Sequence, residues 1–486
     1  MPAPRWTRQG GVRNESEGAM GRTSGLLYRI RGGVHPPDSK EPTASKEIRR
    51  IEAPATVIIP MRQHIGAPCA PRVGKGDEVL VGTVIGDSEA FVSAPIHSSV
   101  SGKVAQIAPQ PHPAGGEVLS VIVENDGEYR RDPTLEPPGP WEDMEPGRIR
   151  EAVRAAGMVG LGGAAFPTHV KLSPPAEYPI DTVILNGAEC EPFLTSDYRL
   201  LMEEPDSVLM GMRIIMRAVG ARRGIIAIED NKPAAIKAMQ SSARGSGIEV
   251  ASLRTRYPQG AEKVLIANLL RREVPSEGLP MHVGVVVNNV GTAHAIAQYF
   301  SQGMPLVERV VTVTGSVVGE PSNLLVPLGT SFAHAVEACG GFTEPPGKVI
   351  MGGPMMGLAQ HTLEVPVVKG TSGILSLSPK ETGYSTPTGP VCIRCGRCVD
   401  VCPMGLIPTY LGSYAHNEKW DPLHKLHIKD CIECGCCAYT CPTKNPLVQL
   451  IKTGKAELAR RMKLMESRAA VNRGDARREG GGNGSE

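Results

Sequence analysis

Nine of the 12 cysteines lie between residues 392 and 441, and eight of these form two runs of the pattern C-x2-C-x2-C-x3-C-P. The first is Cys392, Cys395, Cys398 and Cys402 before Pro403; the second is Cys431, Cys434, Cys437 and Cys441 before Pro442. Three thiolates on one tight loop can take three corners of a cube, and the fourth corner must come from elsewhere in the chain. The proline after the fourth cysteine turns the backbone away. The chemistry this implies is ligation of [4Fe–4S] clusters, which carry single electrons. A pair of zinc sites is the alternative, although those favour two cysteine pairs or cysteine with histidine. A secreted disulfide framework spreads its cysteines along the chain, so the clustering points to metal ligation in a reducing compartment.

In two-cluster ferredoxins the fourth cysteine of each run serves the other cluster. On that rule Cys392, Cys395, Cys398 and Cys441 hold one cluster, and Cys431, Cys434, Cys437 and Cys402 hold the other. Cys436 is an extra thiol, expected to be packed and neutral. Gly396 and Gly435 let the two loops wrap and aim N–H groups at sulfur. The stretch from Met404 to Asp430 is long for a compact ferredoxin, so a helical double-cluster module is expected. Clusters of this type seldom transform substrates, and the rest of the chain should hold a group that accepts or releases electrons.

A second candidate is the glycine-rich loop from Gly157 to Thr168, GMVGLGGAAFPT. Such a loop lets backbone N–H groups approach a phosphate closely. It lacks the Lys-Ser/Thr pair of a P-loop and follows a helix rather than a strand, so a tight connection between elements is the plainer reading.

These residues are carried by a chain of 486 residues, 41% hydrophobic and 4% aromatic, with 52 Lys+Arg against 50 Asp+Glu. That length corresponds to about three domains. The net charge of +2 excludes a generally basic nucleic-acid binder and an acidic disordered chain, so no nucleic acid is expected as partner. No stretch approaches the roughly 18 apolar residues of a membrane span, and Met1 to Met20 lacks the apolar core of a secretory signal. Residues 1–28 read as a disordered extension in which Met20 is an alternative start. Residues 29–131 alternate short β-rich runs with Gly/Pro turns and read as an all-β sandwich or small barrel, and within them Val73 to Val79 with Ala94 to Val104 resembles a barrel-sandwich domain of the lipoyl/biotinyl type. The turn that would present a modifiable lysine reads His97-Ser98-Ser99-Val100-Ser101, which favours a structural or docking domain over a carrier. Residues 132–147 are a Pro-rich acidic linker. Residues 148–303 alternate helices and strands in an α/β domain. Residues 304–366 form a small β-grasp module, 367–390 a second linker, 391–450 the two-cluster module and 451–486 a basic tail. Leu458, Met462 and Met465 fall on one face of a tail helix, a stripe that would suit a partner or anionic lipid or simply a solvated charged helix.

Four runs in the α/β region, GMVGLGGAAFPTHVKL, LNGAECEPFLTSDYRLL, YPQGAEKVLI and VVVNNVGTA, resemble the NADH-oxidising flavoprotein of respiratory complex I. The full order of domains resembles the C subunit of the Rnf electron-transport complex. RGGVHPP (31–37), HIGAP (64–68), SAPIHSSVSGKV (93–104), GGPMMG (352–357) and CIRCGRCVDVCPMGLIPT (392–409) carry that likeness. The resemblance implies a multidomain α/β and β fold: an N-terminal barrel-sandwich, a complex I flavoprotein-like domain, an SLBB-like β-grasp module and a helical double [4Fe–4S] ferredoxin module.

It implies FMN and NAD(H) in one cavity. Gly160, Gly162 and Gly163 would line flavin and nucleotide phosphates with Lys171 as cationic partner, and Phe166 would stack on a nucleotide ring. Asn186, Glu189 and Glu191 match the acidic flavin-edge motif; Tyr257, Gly260 and Glu262 match a second flavin loop; Asn288, Asn289 and Thr292 match a third. Glu189, Phe166 and Lys171 are the candidate catalytic residues. The chain departs from the complex I pattern at Leu161, Ala188 and Ala261, where that flavoprotein has Arg and acids. Cys190 sits inside the flavin-edge motif and reads as a small buried thiol; Cys69, Cys339 and His169 read as structural. The resemblance further implies a peripheral protein on the cytoplasmic face of the inner membrane. Its partners would be integral membrane and flavin-bearing subunits, with ferredoxin reached through the complex. A soluble NADH-dependent cobalamin reductase of a microcompartment, and a non-enzymatic iron–sulfur adapter, are the rival expectations.

Overall fold

The computed structural model describes residues 32–382 and 391–479, with side chains to residue 465. The expected N-terminal extension and the end of the second linker lie outside the described residues.

The α/β domain is built on a four-stranded parallel sheet ordered Glu249–Leu253, Arg223–Glu229, Thr182–Gly187, Val285–Asn289. Its strands are apolar almost throughout because helices cover both faces, as parallel sheets require. Chain order reverses between Thr182–Gly187 and Val285–Asn289, and crevices for ligands form beyond the carboxyl ends of strands at such a switch point. Asn186 and Asn289 are hydrogen-bond-ladder partners at that end. Helix Val290–Gln302 follows at once, its N-terminus capped by the Asn289 side chain, which accepts from the Gly291 N–H at 2.8 Å. Helices Pro205–Val219 and Val290–Gln302 pack so closely that a Cβ on Gly211 would lie 1.9 Å from the Ala293 carbonyl oxygen.

The barrel-sandwich packs a four-stranded against a three-stranded sheet around Val57, Ile59, Ile85, Ile96, Val104, Val121 and Val123. Its carrier-like turn is buried: His97, Ser98, Ser99 and Ser101 are all shielded from solvent. The Ser99 hydroxyl donates to the Leu328 carbonyl, and the ammonium of Lys369 donates to Pro95 O and Gly157 O at 2.7 Å each. The tip is therefore an inter-domain dock with no freedom to swing.

Two segments differ from their sequence-based grouping. Residues 32–50 leave the barrel-sandwich and run across the α/β and cysteine modules, ending as strand Ile48–Arg50 paired with Ser322–Pro327. The stretch 367–390, expected as a linker, contains strand Gly373–Leu377, which sits inside a six-stranded sheet between Glu308–Thr314 and Lys348–Met351. Its residues GILSL are short and apolar and pair with strands distant in sequence. Residues 132–147 do connect domains, yet Trp141 is buried in the α/β core.

The cysteine module is helical, with Pro408–His416 packed on the long helix Leu447–Glu479. Leu458 and Met462 of the expected docking stripe face this module's own core beside Leu411, Leu423 and Ile428, leaving Met465 exposed. The first turns of the tail are thus part of the module.

Replacing Gly211 by Ala should cost about 1–3 kcal/mol through overpacking of the two helices. A fall in the urea midpoint with an unchanged slope is the expected result.

Candidate functional site

The two cysteine runs fold as near-copies. Arg394 and Glu433 both have φ of 57°, and Gly396 and Gly435 follow at 77° and 83°, left-handed conformations that glycine adopts without strain. The Arg394 and Glu433 N–H groups each donate to the sulfur two residues back, Cys392 and Cys431, at 3.4 Å. Leu406 and Asn445 likewise donate to Cys402 and Cys441 at 3.3 and 3.4 Å. Such N–H contacts to sulfur are one of the protein's means of setting a cluster potential.

The eight thiols line two cavities. One takes Cys431, Cys434 and Cys437 from the second run with Cys402 from the first; the other takes Cys392, Cys395 and Cys398 with Cys441. Among the described residues no three metal-ligating side chains converge on a single-ion site. Thiols spread around a cavity fit a polynuclear cluster rather than one tetrahedral zinc. Burial pushes Cys431 up to about 11 and Cys437 up to about 12, so cluster assembly must displace protons from these thiols. The two cavities differ in exposure: Cys434 and Cys437 are buried, whereas Cys392 and Cys395 are exposed. Cys436 is fully buried beside Val34 and Tyr257, and the Cys434 thiolate beside it, together with burial, keeps it protonated.

At the switch point of the parallel sheet lies a cleft of about 480 Å³. The structure brings Gly160, Gly162, Phe166, Lys171, Asn186, Glu189, Glu191, Tyr257, Gly260, Glu262, Asn288 and Asn289 into its lining. Two of the expected residues do not line it. Gly163 faces open space at φ 104°. The Thr292 hydroxyl is buried, accepting from Leu161 N–H at 2.9 Å and donating to Val159 O at 3.3 Å, so it ties the glycine-rich loop to helix Val290–Gln302.

Several lining side chains are held by one another. Lys171 donates to Glu262 at 2.8 Å and to the Val287 carbonyl at 2.6 Å. Asn186 donates to Gly260 O at 2.8 Å. The Glu189 carboxylate accepts from Asp197 and Tyr198 N–H groups at 2.7 and 3.2 Å. It thereby satisfies the N-terminus of helix Ser196–Glu203, where negative charge is favoured. Glu189, expected as catalytic, is thus engaged in holding the wall. Glu191 accepts from Met355 N–H at 3.1 Å, and burial raises its pKa to about 6.

The cleft's donor set fits a flavin mononucleotide. Gly160 and Gly162 leave the floor bare, and a Cβ on Gly162 would meet Asn289 at 3.4 Å. The Asn288 side-chain amide is buried without an acceptor, a donor available to a ring edge. The N-termini of helices Glu262–Leu270 and Val290–Gln302 open onto the cleft, a setting for phosphate.

Sequence reading missed Asp197 and Lys40. Asp197 lines the cleft and accepts from Asn289 at 2.6 Å. Lys40 is buried and donates to the carbonyls of Glu189, Glu191 and Leu194, clamping the flavin-edge loop from a distant segment. Asp197 lay within a quoted motif; nothing local marks Lys40. Cys190 lines the cleft, protonated through burial. His169 bonds the Phe91 carbonyl outside the cleft, and Cys69 and Cys339 are core residues.

Fold and sites together define a class: a multidomain redox protein joining an FMN-binding-type α/β domain to a dicluster iron–sulfur module. Family models agree domain by domain. The RnfC barrel-sandwich hybrid domain matches residues 28–128, the Nuo51 FMN-binding domain 153–298, the SLBB domain 310–359 and the 4Fe-4S dicluster domain 391–445. The C subunit of the Na(+)-translocating ferredoxin:NAD(+) oxidoreductase complex of Acetobacterium woodii is 48% identical over 430 residues, which are 88% of this chain and 97% of that one. The C subunit of the proton-translocating complex of Clostridium ljungdahlii is 46% identical, covering 89% and 94%. That of the ion-translocating oxidoreductase complex of Rhodobacter capsulatus is 41% identical, covering 89% and 84%. The chain belongs to the family of C subunits of ion-translocating ferredoxin:NAD+ oxidoreductase complexes. Among the described residues no helix is long and apolar enough to cross a membrane.

If Glu189 acts as a helix cap, Glu189→Ala should destabilise the cofactor-free chain by about 1–2 kcal/mol. Denaturant unfolding without flavin measures this, and an unchanged midpoint would contradict the capping role.

Proposed function

We propose that this chain is the NAD(H)-facing peripheral subunit of a membrane-bound ferredoxin:NAD+ oxidoreductase, passing electrons between NADH, FMN and two [4Fe–4S] clusters. The observation that carries the reading is a shared wall. Tyr257 and Ile432 line the nucleotide-type cleft, Ile432 also lines the buried cysteine cavity, and the Tyr257 hydroxyl donates to the Cys434 carbonyl at 2.7 Å.

FMN supplies the conversion between a hydride pair and single electrons, while the protein supplies alignment and tuning. In this reading the Gly160–Gly162 backbone, Lys171 and the two helix N-termini bind phosphate. Asn186 and Asn288 read the flavin edge, and Phe166 stacks on a nucleotide ring. Glu262 and Glu191 position the dihydronicotinamide ribose. Lys171 is held in the cleft wall by Glu262 and the Val287 carbonyl, which fixes where its ammonium can meet a phosphate. Glu189 acts by holding the loop. Cys402, Cys431, Cys434 and Cys437 hold the inner cluster and Cys392, Cys395, Cys398 and Cys441 the outer one. Exposure of Cys392 and Cys395 makes the outer cluster the exchange point with the other subunits. Those partners are the integral membrane and flavin-bearing subunits, placed with this chain at the cytoplasmic face, and ferredoxin is reached through them.

Anaerobic reconstitution of the full chain with FMN, iron and sulfide, followed by NADH titration of the visible spectrum, tests this. About eight iron per chain and NADH-dependent bleaching are expected. Cys402→Ser should abolish the bleaching by removing the inner cluster. Cys441→Ser should leave the inner cluster's bleaching intact while removing transfer to external acceptors. The opposite pattern would reverse the proposed order, and absence of flavin binding and of any NADH response would favour the adapter. Cob(III)alamin reduction by the isolated chain would favour the cobalamin reductase.

A further inference from the structure

Oxidation of NADH releases NAD+, two electrons and one proton. If the electrons leave through clusters ligated by thiolates alone, the proton must leave the cleft by another path. A second cavity, about 420 Å³, lies behind the cleft. The two share Leu161, Ser196 and Asp197 as a common wall, and among the described residues Asp197 is the only ionisable side chain lining both.

The second cavity runs along one face of helix Val290–Gln302. Gly291, His294, Gln298 and Gln302 line it, at spacings of three, four and four that place them in one stripe. The stripe covers roughly 16 Å of helix at 1.5 Å per residue. It starts at Gly291, where a Cβ would sit 3.7 Å from an Asp197 carboxylate oxygen, and ends at Gln302, an exposed residue. Apart from the opening glycine, every side chain of the stripe can both donate and accept hydrogen bonds. His294 Nδ1 is buried without a protein partner, and burial holds this imidazole down to about 4, so it is neutral and able to relay.

We propose that Asp197 is a proton-transfer residue that moves the proton released in the cleft into this second cavity, from which His294, Gln298 and water conduct it to the surface at Gln302. The inference rests on the NADH-oxidising reading above. The charged groups facing Asp197 are Glu189 from the flavin-edge loop, Arg309 from strand Glu308–Thr314 and Lys40 from the N-terminal segment. Burial and the Glu189 charge raise the Asp197 pKa to about 7, which suits a group that must take up and release a proton near neutral pH. Arg309 is itself fixed by the carbonyls of Leu161 and Lys369, so it remains in place as the carboxyl titrates.

The test compares wild type, Asp197→Asn and His294→Phe as full chains reconstituted with FMN and clusters. Stopped-flow records cluster bleaching and, with an indicator dye, proton release after NADH is mixed in. The wild type should release its proton in step with bleaching. Asp197→Asn preserves shape and the Asn289 contact site, and should slow both by about a hundredfold, the low end for loss of a proton-transfer group. Formate or azide should restore the rate, which a purely structural role does not permit. His294→Phe, which blocks the duct and leaves Asp197, should slow proton release without changing flavin content. Independently of turnover, the infrared difference between flavin-free wild type and Asp197→Asn at about pH 6 should contain a protonated-carboxyl band, over the Glu191 contribution that both proteins share. Wild-type proton release in Asp197→Asn, or a loss that weak acids do not restore, overturns the proposal while leaving the NADH-oxidising reading intact. Failure of the wild type itself to bleach with NADH overturns that reading and the proton outlet with it.

Discussion

Tyr257 is the junction through which the domains hold their places. Its backbone exchanges two hydrogen bonds with Val34, at 2.8 and 3.0 Å, its hydroxyl reaches the Cys434 carbonyl, and its ring sits in an apolar cluster with Cys434, Cys436, Met355 and Ile432. A tyrosine suits this place because it buries a large apolar body and still satisfies a polar tip. The same residue lines the cleft. One side chain thus fixes the separation between the nucleotide-type site and the inner cysteine set.

The surrounding chain reinforces that junction from several directions. Gly33 donates to the Val401 carbonyl at 2.8 Å, and a Cβ on Gly32 would lie 2.9 Å from the Cys402 backbone. The segment Gly32-Gly33-Val34 therefore seals the α/β domain to the cysteine module by backbone contact that larger residues would prevent. Lys263 and Asp430 pair across the same boundary at 3.4 Å, as do Lys429 and Glu277 at 2.9 Å; the second, more exposed pair contributes little to stability. On the far side, Gly353 passes so close that a Cβ would meet the Glu191 carboxylate. Several separate stretches of chain thereby converge on one loop, which explains why so many small residues are found there.

Much of this was legible in the chain. Spacing and the following prolines marked the eight cysteines, and three thiols per tight loop required exchange of the fourth, which the two cavities match. The alternation of helices and strands over 148–303 marked an α/β domain, and the structure makes its sheet parallel. The strand Gly373–Leu377 escaped notice because five residues between Gly and Pro turns carry too little periodicity to separate from a linker. The tail stripe of Leu458 and Met462 was visible as an apolar face, yet periodicity cannot say what a face packs against.

The grouping of the cysteines and the order of the domain types were readable in the chain alone, because covalent spacing restricts which thiols can reach one cluster and hydrophobic period restricts which elements form. Three-dimensional packing was needed to establish that Glu189 is occupied as a helix cap, that Lys40 clamps the cleft from about 150 residues away, and that Asp197 stands between two cavities. Burial, charge environment and long-range hydrogen bonding are properties of packed neighbours. Those neighbours here come from segments whose proximity no local pattern encodes.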